Sequence, residues 1–361
     1  MSGQLTQGPI VEQFEKEISE RLENPYIVTL NSATAGLTLA LRCLIDSRHF
    51  NTVTDTVLSC PLTCFATHAA ILANGVKIQW VDTDNTNGLM CLKDLKSKIT
   101  RFTTVVYCVW WGGYSYSIAQ MNEIKDYAYN TFGTRLMFVE DCAHAFGATY
   151  PDEDKPVGTS SNGNIQVFSL QAIKLLSVAD GGIMCLPTED LYNRCKLLRW
   201  YGIDRDKRNY KGKDLRLEHD ITHFGYKFHM NDVNACIGIE NLKCIDNLLE
   251  KNRTNAHYYN IQLRDIPGLT LLQNNTMNSS FWLYTFRIEC KTDFINYMKE
   301  NGVFVSQVHQ RNDIFTCLEQ FKCPLPNLDE LEKELVCIPV GHWLTQQDLE
   351  TIVGLIKNFK C

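Results

Sequence analysis

The chain has 361 residues, of which 45% are hydrophobic and 21% charged, the balance of a globular protein with room for one large core and a smaller one. Thirty-five basic against 41 acidic side chains leave a net charge of -6, which excludes a general cationic field for nucleic acid or an anionic membrane. Fifteen cysteines, odd in number and scattered without a C-x-x-C spacing, predict reduced thiols in the cytoplasm rather than a disulfide framework.

The opening MSGQLTQGPIVEQFEKEISERL is polar and mixed in charge, without the basic-then-apolar order of a signal peptide, and is expected to stay on the mature protein. Within it Val11, Phe14, Ile18 and Leu22 recur at spacings of 3, 4 and 4, which predicts a helix. The apolar run 26–30 then leads into Asn31-Ser32-Ala33-Thr34-Ala35-Gly36, which opens a second helix through Leu37, Ala40, Leu41 and Leu44. Small residues at a helix N-terminus let a phosphate approach the backbone N–H groups, with a hydroxyl from Ser32 or Thr34 assisting. Alone, the same residues describe an ordinary capped helix.

Short apolar runs follow at 56–59, 76–81, 104–109, 136–139, 165–169 and 183–186, separated by helix-like stretches. That alternation predicts an α/β domain built on a mostly parallel sheet with helices over its faces. Several runs are apolar at successive positions, as expected of central strands covered on both sides. The most apolar window, 105–111, is far short of the roughly 18 apolar residues that a membrane span needs.

Two charges interrupt these runs. LMFVEDCAHAFGA carries a buried strand straight into Glu140 and Asp141, then small residues and His144. Ligands of open α/β sheets bind beyond the carboxyl ends of strands, so an acid there is placed for chemistry; a helix cap or turn acid is the plain alternative. VFSLQAIKLL sets Lys174 among Ile173, Leu175 and Leu176. Burying an ammonium is costly unless it is paired or becomes a neutral nucleophile, and such lysines capture aldehydes. The plain alternative is a helical lysine that snorkels to the surface. A phosphate cradle, a ring-pairing acid and a buried lysine together describe a pyridoxal phosphate pocket, whose chemistry needs an aldehyde trap, a carboxylate on the pyridine nitrogen and an anion site. No metal is called for.

A long helical stretch at 230–249 leads into strands at 269–272 and 281–289, a helix, a short strand near Phe304 and a last amphipathic helix from Thr345. This grain predicts a cofactor-binding domain over 1–245 and a smaller α+β domain over 246–361.

At NSATAGLTLAL, VEDCAHAFGA, FSLQAIKLLSVADGG, RWYGIDR and GYKFHMNDVNACIGIENL the chain resembles the DegT/DnrJ/StrS family of pyridoxal-phosphate sugar aminotransferases, over nearly its whole length. The resemblance implies the aspartate-aminotransferase fold (fold type I) and a homodimer with active sites shared between subunits. It implies that Lys174 holds the cofactor covalently and shuttles protons, and that Asp141 pairs with the pyridine nitrogen. His144 falls near the ring's phenolic oxygen, Phe65 where an aromatic ring stacks on the cofactor, and Ala33, Thr34 and Ser169 on its phosphate. Cys64 and Ala66 depart from the family's usual pattern, as do Lys227 and His229 in a loop that reaches the neighbouring subunit's cofactor phosphate. A cationic Lys227 would serve the same anion.

The resemblance further implies transfer of an amino group from glutamate to a keto-deoxy nucleotide sugar. The leading substrate is a UDP-, dTDP- or GDP-linked 4-keto-6-deoxyhexose, as for viosamine or perosamine synthases, with a 3-keto sugar as the close rival. A cofactor-binding regulatory protein without turnover is a further alternative. For the sugar nucleotide, Arg205, Lys207, Arg208, Lys211, Lys213 and Arg216 form a local anion patch. His309, Arg311 and Asn312 fall on the family's sugar-contacting turn and His229 on the substrate side. Trp110 and Trp111 offer a flat wall, or are structural.

Overall fold

The computed structural model describes residues 5–47, 49–205, 207, 220–273 and 276–361. Seven strands form the main sheet: β1 (Ile27–Leu30), β2 (Thr56–Ser59), β3 (Lys77–Trp80), β4 (Val105–Val109), β5 (Met137–Asp141), β6 (Ile165–Ser169) and β7 (Gly182–Cys185). Their order is β1-β7-β6-β5-β4-β2-β3, and β3 through β6 pair in parallel. Only β7 runs against its neighbours β6 and β1, so β1, β2, β4, β5 and β6 all end at one edge of the sheet. β4 and β6 are buried at every residue, as a sheet covered on both faces requires.

The covering helices are α1 (Pro9–Leu22), α2 (Ala33–Asp46), α3 (Phe65–Leu72), α4 (Leu92–Lys98), α5 (Ile118–Phe132) and α6 (Glu189–Leu198). α1 starts with a proline at its first turn and buries Val11, Phe14, Ile18 and Leu22, the four residues whose spacing predicts it. α2 is capped by Ser32, whose side chain accepts from the Ala35 N–H at 3.1 Å.

The stretch 230–249 departs from the single helix expected. It makes α7 (Asp232–Leu242) and α8 (Ile245–Leu263), separated at Lys243 and Cys244, whose N–H groups bond three residues back to Glu240 and Asn241. That tighter turn ends one helix and lets the next leave for a different core. Val233 and Ile237 are not core: they are 50% and 41% exposed, and α7 buries Asp232, Ala235 and Gly238 instead.

A second sheet is built from β8 (Leu269–Leu271), β9 (Tyr284–Ile288) and β10 (Leu335–Ile338), with α9 (Lys291–Glu300), α10 (Pro326–Glu334) and α11 (Gln346–Asn358) around it. Its order is β10-β9-β8, antiparallel throughout. The strand expected near Phe304 does not form. Phe304 is 79% exposed, the neighbouring Ser306 makes an isolated bridge to Cys337, and the third strand lies later, at β10. Thr345 and Asp348 close a capping box on α11. A second apolar cluster joins α8, this sheet and α11 through Tyr259, Leu263, Phe286, Phe294, Val336 and Ile352. Residue 246 lies in the first turn of α8, while Leu318, Leu325, Leu328 and Leu331 return to the first core.

Cys290 and Cys361 are joined by a disulfide, which corrects the expectation that every cysteine is reduced; the other thirteen are free. Among the described residues no helix is long and apolar enough to cross a membrane.

Candidate active site

Parallel pairing gathers the chemistry at one sheet edge. β1 ends at the entry to α2, β5 ends on Asp141, and β6 ends on Ser169, five residues before Lys174. Lys174 is not on a helix: it sits in a turn, its N–H bonded to the Gln171 carbonyl at 2.8 Å. Its amine is largely enclosed. Burial lowers its pKa to about 8, against the opposing pull of Asp141 and Cys64.

Asp141 is buried and accepts from the Thr67 hydroxyl at 2.7 Å and the Ala143 N–H at 3.1 Å. Burial nonetheless pushes its carboxyl up, so two hydrogen bonds and the charge of Lys174 do not compensate it fully. Glu140, the neighbouring acid, faces the other way. It takes hydrogen bonds from Trp110 Nε1 (2.9 Å), the Tyr150 hydroxyl (2.8 Å), Asn162 Nδ2 (2.8 Å) and Asn164 Nδ2 (2.7 Å), a structural network inside the core.

Ala33 and Thr34 open α2, whose first N–H groups have no partner within the helix. Ser169 lies beside them, with Gly182 between. Gly182 is required there: a Cβ would stand 2.6 Å from the Ser32 carbonyl oxygen and 2.7 Å from the Ala33 nitrogen. Phe65, first residue of α3, is 38% exposed with its ring edge-on to Phe315, and so is not buried in the helix core.

His144 is buried, stacked on Trp282 with ring centres 3.9 Å apart and the planes 24° from parallel. His309 lies nearly parallel to His144 at 5.6 Å. Burial and the charge of Lys174 depress both imidazoles, His309 to about 4, so they are neutral near pH 7. Trp111, edge-on to both rings, closes the floor.

Other expected residues are committed elsewhere. Trp110 is 1% exposed and spent on Glu140, so it offers no wall to a sugar. Arg311 is buried among Asp313 (2.7 Å), Asp329 (2.5 Å) and Glu332 (3.2 Å), a network that fastens its loop to α10 and leaves no free guanidinium face. His229 is buried against Trp200 at 3.7 Å, with Thr6 3.3 Å from Nε2. Lys227 is exposed, and its carbonyl accepts from Asn31 Nδ2 at 3.3 Å, which brings its loop beside the cradle. Asn312 is buried, donating to His68 Nδ1 at 2.7 Å. In the basic loop, Arg205 stacks on Trp200 and Lys207 pairs with Asp204, while Arg208, Lys211, Lys213 and Arg216 lie outside the described residues. A separate cleft of about 440 Å³ near Glu12, Glu15, Lys196 and Arg199 is away from this cluster.

Two participants were missing from the sequence reading. Thr67 carries the Asp141 carboxylate, two positions on from Phe65. Trp282 lies under Lys174, whose Nζ is 3.5 Å from its ring centre. Neither has a local signal, since each meets the site only through distant packing.

The family model for the DegT/DnrJ/EryC1/StrS aminotransferases matches residues 1–357. Among solved structures, AtS13 from Actinomadura melliaura is 40% identical with a TM-score of 0.92, covering 99% of this chain and 93% of that one. The sugar aminotransferase CalS13 from Micromonospora echinospora is 37% identical with a TM-score of 0.91 at the same coverage. A UDP-4-amino-4,6-dideoxy-N-acetyl-beta-L-altrosamine transaminase from Campylobacter jejuni is 28% identical over 99% of this chain and 92% of its own length.

Proposed function

The chain belongs to the DegT/DnrJ/EryC1/StrS aminotransferase family, as a pyridoxal-phosphate-dependent sugar aminotransferase, and from that premise we propose that it moves an amino group from glutamate to a nucleotide-linked 4-keto-6-deoxy sugar. The observation that carries this reading is the largely enclosed Lys174 amine beside a buried, under-compensated Asp141 at the carboxyl ends of the strands. The substrate class is that of the Campylobacter relative, a transaminase named for a UDP-4-amino-4,6-dideoxy sugar.

The residues present fit the cofactor. Asp141 is only partly compensated by Lys174 and its two hydrogen bonds, and a protonated pyridine nitrogen would supply the missing positive charge. The α2 N-terminus, held tight by the absence of a Cβ at Gly182, suits a phosphate at Ala33 and Thr34, with the Ser169 hydroxyl alongside. When bound, pyridoxal phosphate supplies an aldehyde that carries the amino group and a ring that spreads the charge left on the substrate carbon.

Lys174 then moves the proton. With a pKa of about 8 its amine both accepts and returns a proton near neutral pH, where an ordinary lysine would stay charged. His144 and His309 are kept neutral by burial and so do not repel the Lys174 ammonium, while the resemblance sets His144 near the ring's phenolic oxygen and Phe65 against its face. Lys227 at the edge of the site is available to an anion.

A homodimer belongs to this reading. The exposed apolar residues Val233 and Ile237 of α7 support it, since contact with a second copy would cover them. The thirteen free thiols suit a cytoplasmic setting.

Incubating the protein with glutamate and a panel of 4-keto and 3-keto sugar nucleotides, read by mass spectrometry, tests the reading. One aminated product with release of 2-oxoglutarate supports it and selects the nucleotide. A protein that binds pyridoxal phosphate at Lys174, shown by borohydride fixation, yet aminates nothing on the panel overturns the sugar assignment.

A further inference from the structure

Gly112 and Gly113 have φ of 68° and 100°, and a Cβ on Gly113 would meet Ser280 Oγ at 1.9 Å and the His144 carbonyl at 2.7 Å. This turn is therefore bare so that the segment 279–282 can lie against it. The Ser280 hydroxyl donates to the His144 carbonyl at 2.5 Å, and the Trp282 N–H donates to the Gly112 carbonyl at 3.0 Å. Between them Phe281 is held at φ 48°, an unfavourable setting for a bulky side chain, with its ring buried in the second core. That setting turns Trp282 out of the second core and into the site.

There the indole makes three contacts with two parts of the chain. Its face lies 3.5 Å from Lys174 Nζ, the ring stacks on His144, and Nε1–H donates to the Ile173 carbonyl at 2.9 Å. An ammonium over an indole face is held by the ring's quadrupole, an attraction that strengthens as water is removed. The bond to Ile173 fixes the residue immediately before Lys174.

We propose that Trp282 is a positioning residue for Lys174: its face seats the amine whenever the amine is not covalently engaged, and its N–H fixes the turn that carries it. The inference rests on the reading of Lys174 as the cofactor lysine. Trp282 acts on the amine in two opposed ways, since its bulk excludes water and disfavours the ammonium while its face favours it. The other groups around the amine are Asp141 and Cys64, which favour its charge, and His144 and His309, which oppose it when protonated.

Substitutions separate the two effects. In the full-length chain stripped of cofactor, competitive acetylation of Lys174 across neutral and alkaline pH, quantified by mass spectrometry against the exposed lysines, reads the amine's midpoint directly. Trp282→Leu keeps much of the bulk and removes the face, so the midpoint falls by ~0.5 to 1 unit. Trp282→Ala admits water, so it rises toward the ~10.4 of a free lysine. Trp282→Phe retains a face and restores most of the wild-type value, and circular dichroism checks that each variant is folded. A Leu variant that titrates like wild type, a Phe variant that shifts as far as Leu, or three variants that all shift upward overturn the proposal. Failure of wild type to take up pyridoxal phosphate would sink the aminotransferase reading instead, and leave this titration unaffected.

Discussion

Leu30 and Ser169 share one cross-strand partner, Gly182, which β7 presents to β1 on one side and to β6 on the other. The glycine thus sets the gap between the opening of α2 and the Ser169 hydroxyl.

A methyl group at this position fits the backbone but not the space, because it would lie 2.6 Å from the Ser32 carbonyl oxygen and 2.7 Å from the Ala33 nitrogen. Gly182→Ala should push α2 away from Ser169 while leaving the sheet paired. The expected outcome is a folded protein whose affinity for pyridoxal phosphate falls at least ~10-fold, equivalent to ~1.4 kcal/mol. Titration of the cofactor's visible absorbance measures it, and unchanged affinity would show that the cradle does not hold the phosphate.

Asp141→Asn preserves shape: its oxygen can accept from the Ala143 N–H, and its NH2 can donate to the Thr67 hydroxyl, which turns to accept. It removes the negative charge. Amino transfer should fall by at least ~100-fold, the scale seen when one electrostatic partner of a reaction centre is lost. Melting temperature should hold or rise, because burial already disfavours the charged form. A variant retaining full turnover would remove Asp141 from the chemistry.

Lys174 and Asp141 were legible because each charge interrupts an apolar run, and burying a charge is costly enough to need a reason. The sheet was legible for a related cause: strands covered on both faces leave long apolar words in the sequence. Trp110 and Trp111 show where this stops. Past the end of β4, where the chain enters a tight turn at Trp111, the two side chains part, one to Glu140 and one toward His144, and composition cannot say which is which. Arg311 read as a free cation because two of its partners, Asp329 and Glu332, are 18 and 21 residues away. Trp282 carried no signal at all, since its role comes from a turn at Gly112–Gly113 far back in the chain.

The commitment of Trp110 to Glu140 predicts a stability effect without a catalytic one. Trp110→Phe keeps the ring in place but withdraws the 2.9 Å donor from a carboxylate that is fully buried. One acceptor left short inside the core costs ~1–3 kcal/mol. Denaturant unfolding should show that loss, while turnover per folded molecule stays at the wild-type level; a lower turnover with unchanged stability would return Trp110 to the substrate wall.

His68 ties the loop that follows His309 to the main core, and it should make that tie sensitive to acid. The imidazole is fully buried; Nδ1 accepts from Asn312 Nδ2 at 2.7 Å, and Nε2–H donates to the Ser59 hydroxyl at 3.0 Å, which in turn donates to the Tyr107 carbonyl at 3.1 Å. Burial lowers its pKa to about 3, against about 6.5 in the unfolded chain. Between those values the unfolded state binds a proton that the folded state refuses, so the contribution is intact above pH 6.5 and stability drains as pH falls, by up to ~1.4 kcal/mol per unit. His68→Gln keeps polar atoms in the cavity without a titrating ring. From pH 6.5 to 5, above the range where most carboxylates protonate, its unfolding free energy should be flatter than wild type by about one proton; equal slopes would mean that His68 titrates alike in both states.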